Sequence, residues 1–254
     1  MIKSPKAHNT ILVDHQEYYN CKDSWECYDL TRPVNQKFWS EGRYAYAEGG
    51  HLAYQSVKNG GVLVNRRIIW LKPDIVIVVD EMYTGKPHTY NQFFHLNNRG
   101  TVSGSGDRYV YQSERTRAEI QMIAHGLSSK ITATYISRQY NKLEDNKTIV
   151  TAFTGESFTS AFTVIALSDA SIQNRLSVEK IKVESSFKDI TFKDNQIEAL
   201  NIRFGELFYT VVVAHEEYSS PTDTFVADGC VGFGSAVVFD RIKKEKNIGT
   251  VLLW

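Results

Sequence analysis

Short apolar runs, cut by turn residues at intervals of about 8–12 positions, constrain this chain more than any other feature. Residues 62–71 read as a strand, and Lys72-Pro73-Asp74 as the turn after it. Proline fixes its own φ and biases its predecessor away from helix. Residues 75–82 are apolar on both faces and predict a central strand. After a turn at 84–87, residues 88–96 nearly alternate. Further strands are expected at 109–112, 118–123, 131–136, 148–153, 158–167, 178–185, 190–192, 197–204, 207–214 and 235–239. Only 168–174 hints at a short helix or turn, and the polar, glycine-rich 97–107 reads as the most flexible loop. This pattern predicts an all-β protein: a large two-sheet antiparallel β-sandwich, or supersandwich, with very little helix, as one domain over 1–254.

Composition narrows the partners. Lys+Arg and Asp+Glu both number 29, so the net charge is zero. That argues against nucleic acid as a partner. The basic run at 241–246 reads as a solvated turn. A local cationic patch can still hold an acidic sugar on a neutral protein. No stretch approaches the ~18 apolar residues of a membrane span, and no apolar leader follows Met1. The first residues already belong to a motif, as expected of a domain cut from a longer protein; its compartment is not legible. The three cysteines, Cys21, Cys27 and Cys230, form neither a disulfide framework nor a zinc-finger spacing. They read as buried or incidental thiols, with a Cys21–Cys27 pair as the alternative in an oxidising compartment.

Two segments carry chemistry: Ser-Pro-Lys-Ala-His-Asn-Thr-Ile-Leu-Val-Asp at 4–14, and Gly-Gly-His-Leu-Ala-Tyr at 49–54. They place His8 and His51 43 residues apart. They resemble the AHNT-xxx-D and GH-x-x-Y segments of the C-terminal β-sandwich domain of heparinase II/III-type polysaccharide lyases. Residues 135–141 resemble that family's YSPxYG segment, with arginine and asparagine in place of proline and glycine. The resemblance implies a divalent metal, most commonly zinc, on His8, His51 and an acid between them. Glu26 stands at the acid's spacing, with Asp23 close by, where the family usually has aspartate. Imidazole nitrogens and a carboxylate suit zinc.

Lys6 stands where some of these lyases carry a catalytic histidine. With an unperturbed pKa of about 10.4 against about 6.5, lysine does not inherit that role, but it can neutralise a uronate carboxylate. Tyr44, Tyr46, Tyr54 and Arg67 are candidates for holding substrate, because aromatic rings stack on sugars and guanidinium forks match carboxylates. Arg66 and Arg67 point to opposite strand faces, so one pocket uses at most one of them. His95 matches a family histidine and reads as structural. His15, His88, His125 and His215 show no partner pattern.

The resemblance implies the sheet domain of a lyase that cleaves uronate-containing polysaccharides, of glycosaminoglycan or alginate type, by β-elimination. The main catalytic groups would lie on an N-terminal α/α-toroid, the partner domain, leaving the sheet domain alone inactive. A non-catalytic carbohydrate-binding or structural module is the alternative.

Overall fold

The computed structural model describes residues 4–18, 20–23, 25–28, 31–56, 61–140, 142–187, 189–215, 224–242 and 249–253. The chain divides into two compact units: Met1–Phe38, Ala47–Trp70 and Asp74–Ile172 form one, and Trp39–Tyr46, Leu71–Pro73 and Gln173–Trp254 the other. Among the described residues the only helical element is one 3-10 turn, Pro5–Ala7, with Ser4 as its N-cap.

The first unit's strands are β1 (Ile11–Val13), β2 (Asn20–Cys21), β3 (Cys27–Tyr28), β4 (Pro33–Glu41), β5 (Tyr44–Tyr54), β6 (Val62–Leu71) and β7 (Ile75–Tyr83). They continue with β8 (His88–His95), β9 (Thr101–Ser105), β10 (Arg108–Gln112), β11 (Thr116–Ala124), β12 (Ser128–Gln139), β13 (Lys142–Gly155) and β14 (Phe158–Asp169). The ends of β4–β5 and β6 run into segments of the second unit. Eight strands form one sheet in the order β4-β5-β6-β7-β14-β11-β10-β9, and four form another, β1-β8-β13-β12. Their alternating residues meet in two apolar clusters. One joins Ile11, Tyr90 and Phe153 of the smaller sheet to Tyr54, Val64 and Met82 of the larger. The other joins Phe94 and Ile149 to Val78, Tyr109 and Met122.

The second unit contains β15 (Leu176–Ile181), β16 (Val183–Ser185), β17 (Ile197–Phe204), β18 (Leu207–Ala214), β19 (Phe225–Ala227), β20 (Cys230–Gly232), β21 (Ala236–Asp240) and β22 (Thr250–Leu253). These make a five-stranded sheet, β15-β17-β18-β21-β22, and a three-stranded one, β16-β19-β20. Phe225 and Phe239 pack edge to face between them, with centroids 6.3 Å apart.

The expected all-β class is what the chain adopts, and the strands 62–71, 197–204 and 207–214 begin and end where periodicity puts them. Two segments differ. The expected flexible loop contains β9, a strand whose Ser-Gly-Ser end has little strand propensity and is held by its ladder to β10. The run 178–185 is interrupted after Ile181, and 190–192 supplies only an isolated bridge, Thr191 to Glu184. Residues 168–174 finish β14 and then turn, one of the two forms expected there. Both margins of the eight-stranded sheet are irregular. Asn35 in β4 has φ +54° and Gly104 in β9 has φ +127°. Cys27 is disulfide-bonded and lies across the β2–β3 ladder from Cys21, so the incidental-thiol reading fails for Cys27. Cys230 is a buried free thiol. Positions 243–246 of the basic run lie outside the described residues.

Candidate functional site

The 4–14 segment is first of all a fastening. Asn9 Oδ1 accepts the His95 backbone N–H at 2.7 Å, and His95 Nε2 lies 2.9 Å from the Lys6 carbonyl. The Thr10 carbonyl accepts from Phe93 N–H, which continues the β1–β8 ladder outward. Asp14, at φ +49°, accepts the Thr89 N–H at 2.9 Å and contacts His88 Nδ1 at 2.7 Å. Burial opposes the Asp14 charge, but these partners hold its carboxyl below the usual carboxylate range. The motif's Asn and Asp therefore tie β1 to β8. Lys6 is left on an exposed turn with its backbone fixed at both ends, and no carboxylate pairs with it among the described residues. His8, next along, is also exposed.

Beneath this segment lies a buried ion pair. Arg66 on β6 grips Asp80 on β7 with two bonds, of 2.6 and 2.8 Å. Gln92 of the facing sheet adds a third donor to Asp80 at 2.6 Å. Another Arg66 nitrogen reaches the Asn9 carbonyl, joining the motif to the pair. Burial disfavours the guanidinium charge, yet Asp80 raises the Arg66 pKa overall. Arg67 points to the opposite face, as strand alternation requires, and pairs with Glu81 at 2.9 Å. Asn65 bridges Glu81 and Glu48 there, at 2.8 and 3.0 Å.

His51, on β5, packs against Tyr18 and Tyr54, with ring centroids 5.3 and 6.0 Å away. Burial, then the Arg66 charge, lowers its pKa, and Asp80 only partly offsets them. The ring is therefore held neutral, the state in which imidazole ligates a metal. Its Nε2 is buried without a hydrogen-bond partner. Glu26 is less prepared. It is half-exposed, 3.1 Å from Lys22 Nζ, and accepts from the Tyr28 hydroxyl. Among the described residues no three His, Cys, Asp or Glu side chains cluster as a metal site. His51 Nδ1 accepts the Ala53 N–H at 3.4 Å, and Glu26 is engaged by Lys22 and Tyr28.

The expected substrate-holding group is mostly interior. Tyr46 and Tyr54 are each 1% exposed, and Tyr54 donates its hydroxyl to the Gln16 carbonyl at 2.9 Å. Arg67 is buried in its ion-pair network. These side chains offer a sugar no surface; alternating strand residues fill cores before they line clefts. Tyr44 is half-buried, and burial raises its hydroxyl pKa.

Sequence reasoning missed two histidine partnerships. His88–Asp14 pairs residues 74 apart in the chain. In the second unit, His215 Nε2 lies 2.8 Å from Glu198, which also binds Lys180 at 2.6 Å. Glu198 and His215 end the β17–β18 hairpin near its open side, and only that pairing register joins them.

Residues 1–165 match the family model "Heparinase II/III-like, C-terminal". Among solved structures, the chain is similar to a heparan sulfate lyase, HepC, from Pedobacter heparinus (TM-score 0.65, 13% identity, covering 86% of this chain and 32% of that one). It is similar also to a heparinase III gene product (TM-score 0.63, 14% identity, 84% and 31%) and to a further heparinase III (0.61, 13%, 84% and 30%). The chain spans about a third of the length of these structures. At such identities the likeness shows the shared fold. A search of curated proteins found no match.

Proposed function

The chain belongs to the heparinase II/III-like C-terminal family, and from that premise we propose that it is the sheet domain of a lyase cleaving uronate-containing polysaccharides by β-elimination. The supporting observation is Lys6: an exposed ammonium on a turn fixed by Ser4 and His95, beside exposed His8. In β-elimination a base takes the proton from C5 of the uronate. The electron pair forms the C4–C5 double bond, the C4–O bond breaks, and an acid protonates the departing oxygen. Charge builds on the carboxylate as the proton leaves, and a fixed ammonium beside it stabilises that charge. Lys6 takes this role, and the helical toroid of the parent supplies base and acid. The disulfide at Cys27 suits an oxidising, exported setting.

A divalent metal, most suitably zinc, belongs to the same proposal. His51 Nε2, His8 and Glu26 would hold it, provided Glu26 leaves Lys22 and Tyr28. The orphaned His51 nitrogen is the feature that supports it. When bound, the metal would brace the motif against β5 and add to folding free energy.

The test follows absorbance of the unsaturated uronide from heparan sulfate, hyaluronan and alginate. The 254-residue chain should be inactive and a parent with its helical domain active, because losing acid–base groups alone costs about 10²–10⁴-fold. In the active parent, Lys6→Ala should lower turnover by about 10²-fold. Robust cleavage by the 254-residue chain, abolished by a substitution within it, overturns the two-domain reading. Elemental analysis finding no stoichiometric metal overturns the metal proposal alone.

A further inference from the structure

We propose that the first unit carries a second carbohydrate site, one that holds a pyranose residue without cutting it. It occupies a cavity of about 400 Å³ that begins where Leu96 follows the motif's anchor His95, between the β8–β9 connection and strands β10, β12 and β13. That volume falls in the range of small-ligand sites.

Two tyrosines make its walls: Tyr111 from β10 and Tyr135 from β12, the latter 57% exposed. Aromatic faces receive the C–H faces of a pyranose, and amides receive its hydroxyls. The amides are present and fixed. Asn97 and Asn98 each accept from the Arg138 guanidinium, at 2.7 and 2.5 Å. Asn98 donates onward to Glu144 at 3.0 Å and to the Asp145 carbonyl at 3.3 Å. Asn146, also lining the cavity, is 6% exposed, and its Nδ2 donor has no partner. An unpaired buried donor costs free energy that a ligand oxygen would recover.

Gly100 shows how closely the wall is fitted. A Cβ there would stand 2.5 Å from Tyr111 Cζ and 2.5 Å from the Gln112 carbonyl, so only glycine lets the phenol lie against this backbone. Lys147 and Asp145 line the cavity, and Arg99, Arg138, Lys142 and Glu144 flank it, four cations against two acids. Among the described residues no histidine or cysteine lines it. The charge balance favours a pyranose bearing one carboxylate. That preference rests on the proposed function; the stacking and amide contacts require only a pyranose.

The experiment titrates glucuronic acid and, separately, N-acetylglucosamine into the isotopically labelled 254-residue chain, following amide shifts by NMR. Monosaccharides cannot be lyase substrates, so the result stands whether or not the parent cleaves anything. The expected outcome is saturable shifts at Asn98, Tyr135 and Lys147 with Kd on the order of 1–10 mM, tighter for glucuronic acid. Tyr135→Ala should weaken binding roughly five- to tenfold, while Tyr135→Phe, which keeps the ring, stays within about twofold. Because Tyr135 is exposed, both variants should keep the wild-type amide spectrum away from the cavity, which confirms folding. Saturable binding of N-acetylglucosamine with equal affinity also supports the site but removes the carboxylate preference. Absence of shifts at these residues with both sugars, or binding that Tyr135→Ala leaves unchanged, overturns the proposal.

Discussion

Asp80 in the first unit and Glu198 in the second are both buried carboxylates, with side chains 1% and 2% exposed. Their partners differ. Asp80 is gripped by a two-pronged guanidinium and one amide, and none of these can give up or take a proton at ordinary pH. Glu198 sits between an ammonium and an imidazole, and the ammonium's side chain is 34% exposed. The contrast teaches where charge can escape. Removing a partner strands Asp80, whereas the second cluster has a group that can reach water and another that can titrate.

Arg66→Ala should therefore have the largest effect, about 3–5 kcal/mol of destabilisation in urea unfolding, because it leaves an uncompensated buried carboxylate. A loss below about 1 kcal/mol would mean that water reaches Asp80, and the contrast would collapse. Glu198→Gln should cost less, about 1–3 kcal/mol near neutral pH, since Lys180 can turn to solvent and His215 can remain neutral. This loss should depend on pH. Burial raises the Glu198 pKa, but hydrogen bonding from His215 and the His215 and Lys180 charges lower it overall. A lowered folded-state pKa gives stability that is full above the unfolded value of about 4.3 and vanishes as pH falls through the folded one. Lys180 behaves oppositely. Burial lowers its pKa, Glu198 and Asp194 raise it overall, and its contribution fades only in strong alkali. A wild-type-to-variant gap that stays constant from neutrality into strong acid would contradict this assignment.

Asn9→Ala should cost about 0.5–1.5 kcal/mol, through the lost bond to the His95 N–H. Trp25, 91% exposed, should tolerate serine within about 0.5 kcal/mol. A large loss at Trp25 would reveal a contact that its exposure hides.

Much of the frame was legible because period-two alternation is local. Residues 62–71 announce β6 by themselves, and Arg66 and Arg67 divide between two faces as strand geometry demands. The motif's fastening role was not legible, since Asn9–His95 and Asp14–His88 depend on the β1–β8 register. Tyr46, Tyr54 and Arg67 suggested a sugar surface because the same residue types serve cores and clefts; only burial separates the two. β9 stayed hidden for the opposite reason: its residues carry little preference, and its neighbour imposes the shape.

The irregular margins of the eight-stranded sheet bear on colloidal behaviour. A regular outer strand presents unpaired amides and carbonyls at a repeat that another chain can copy. Here Asn35 breaks that repeat in β4 with a left-handed backbone, and Pro33 opens the strand without an N–H to offer. At the other margin Gly104 breaks it in β9, among serines that carry no apolar surface. Each margin is thus interrupted within its last strand, which breaks the repeat that another chain would copy at those points.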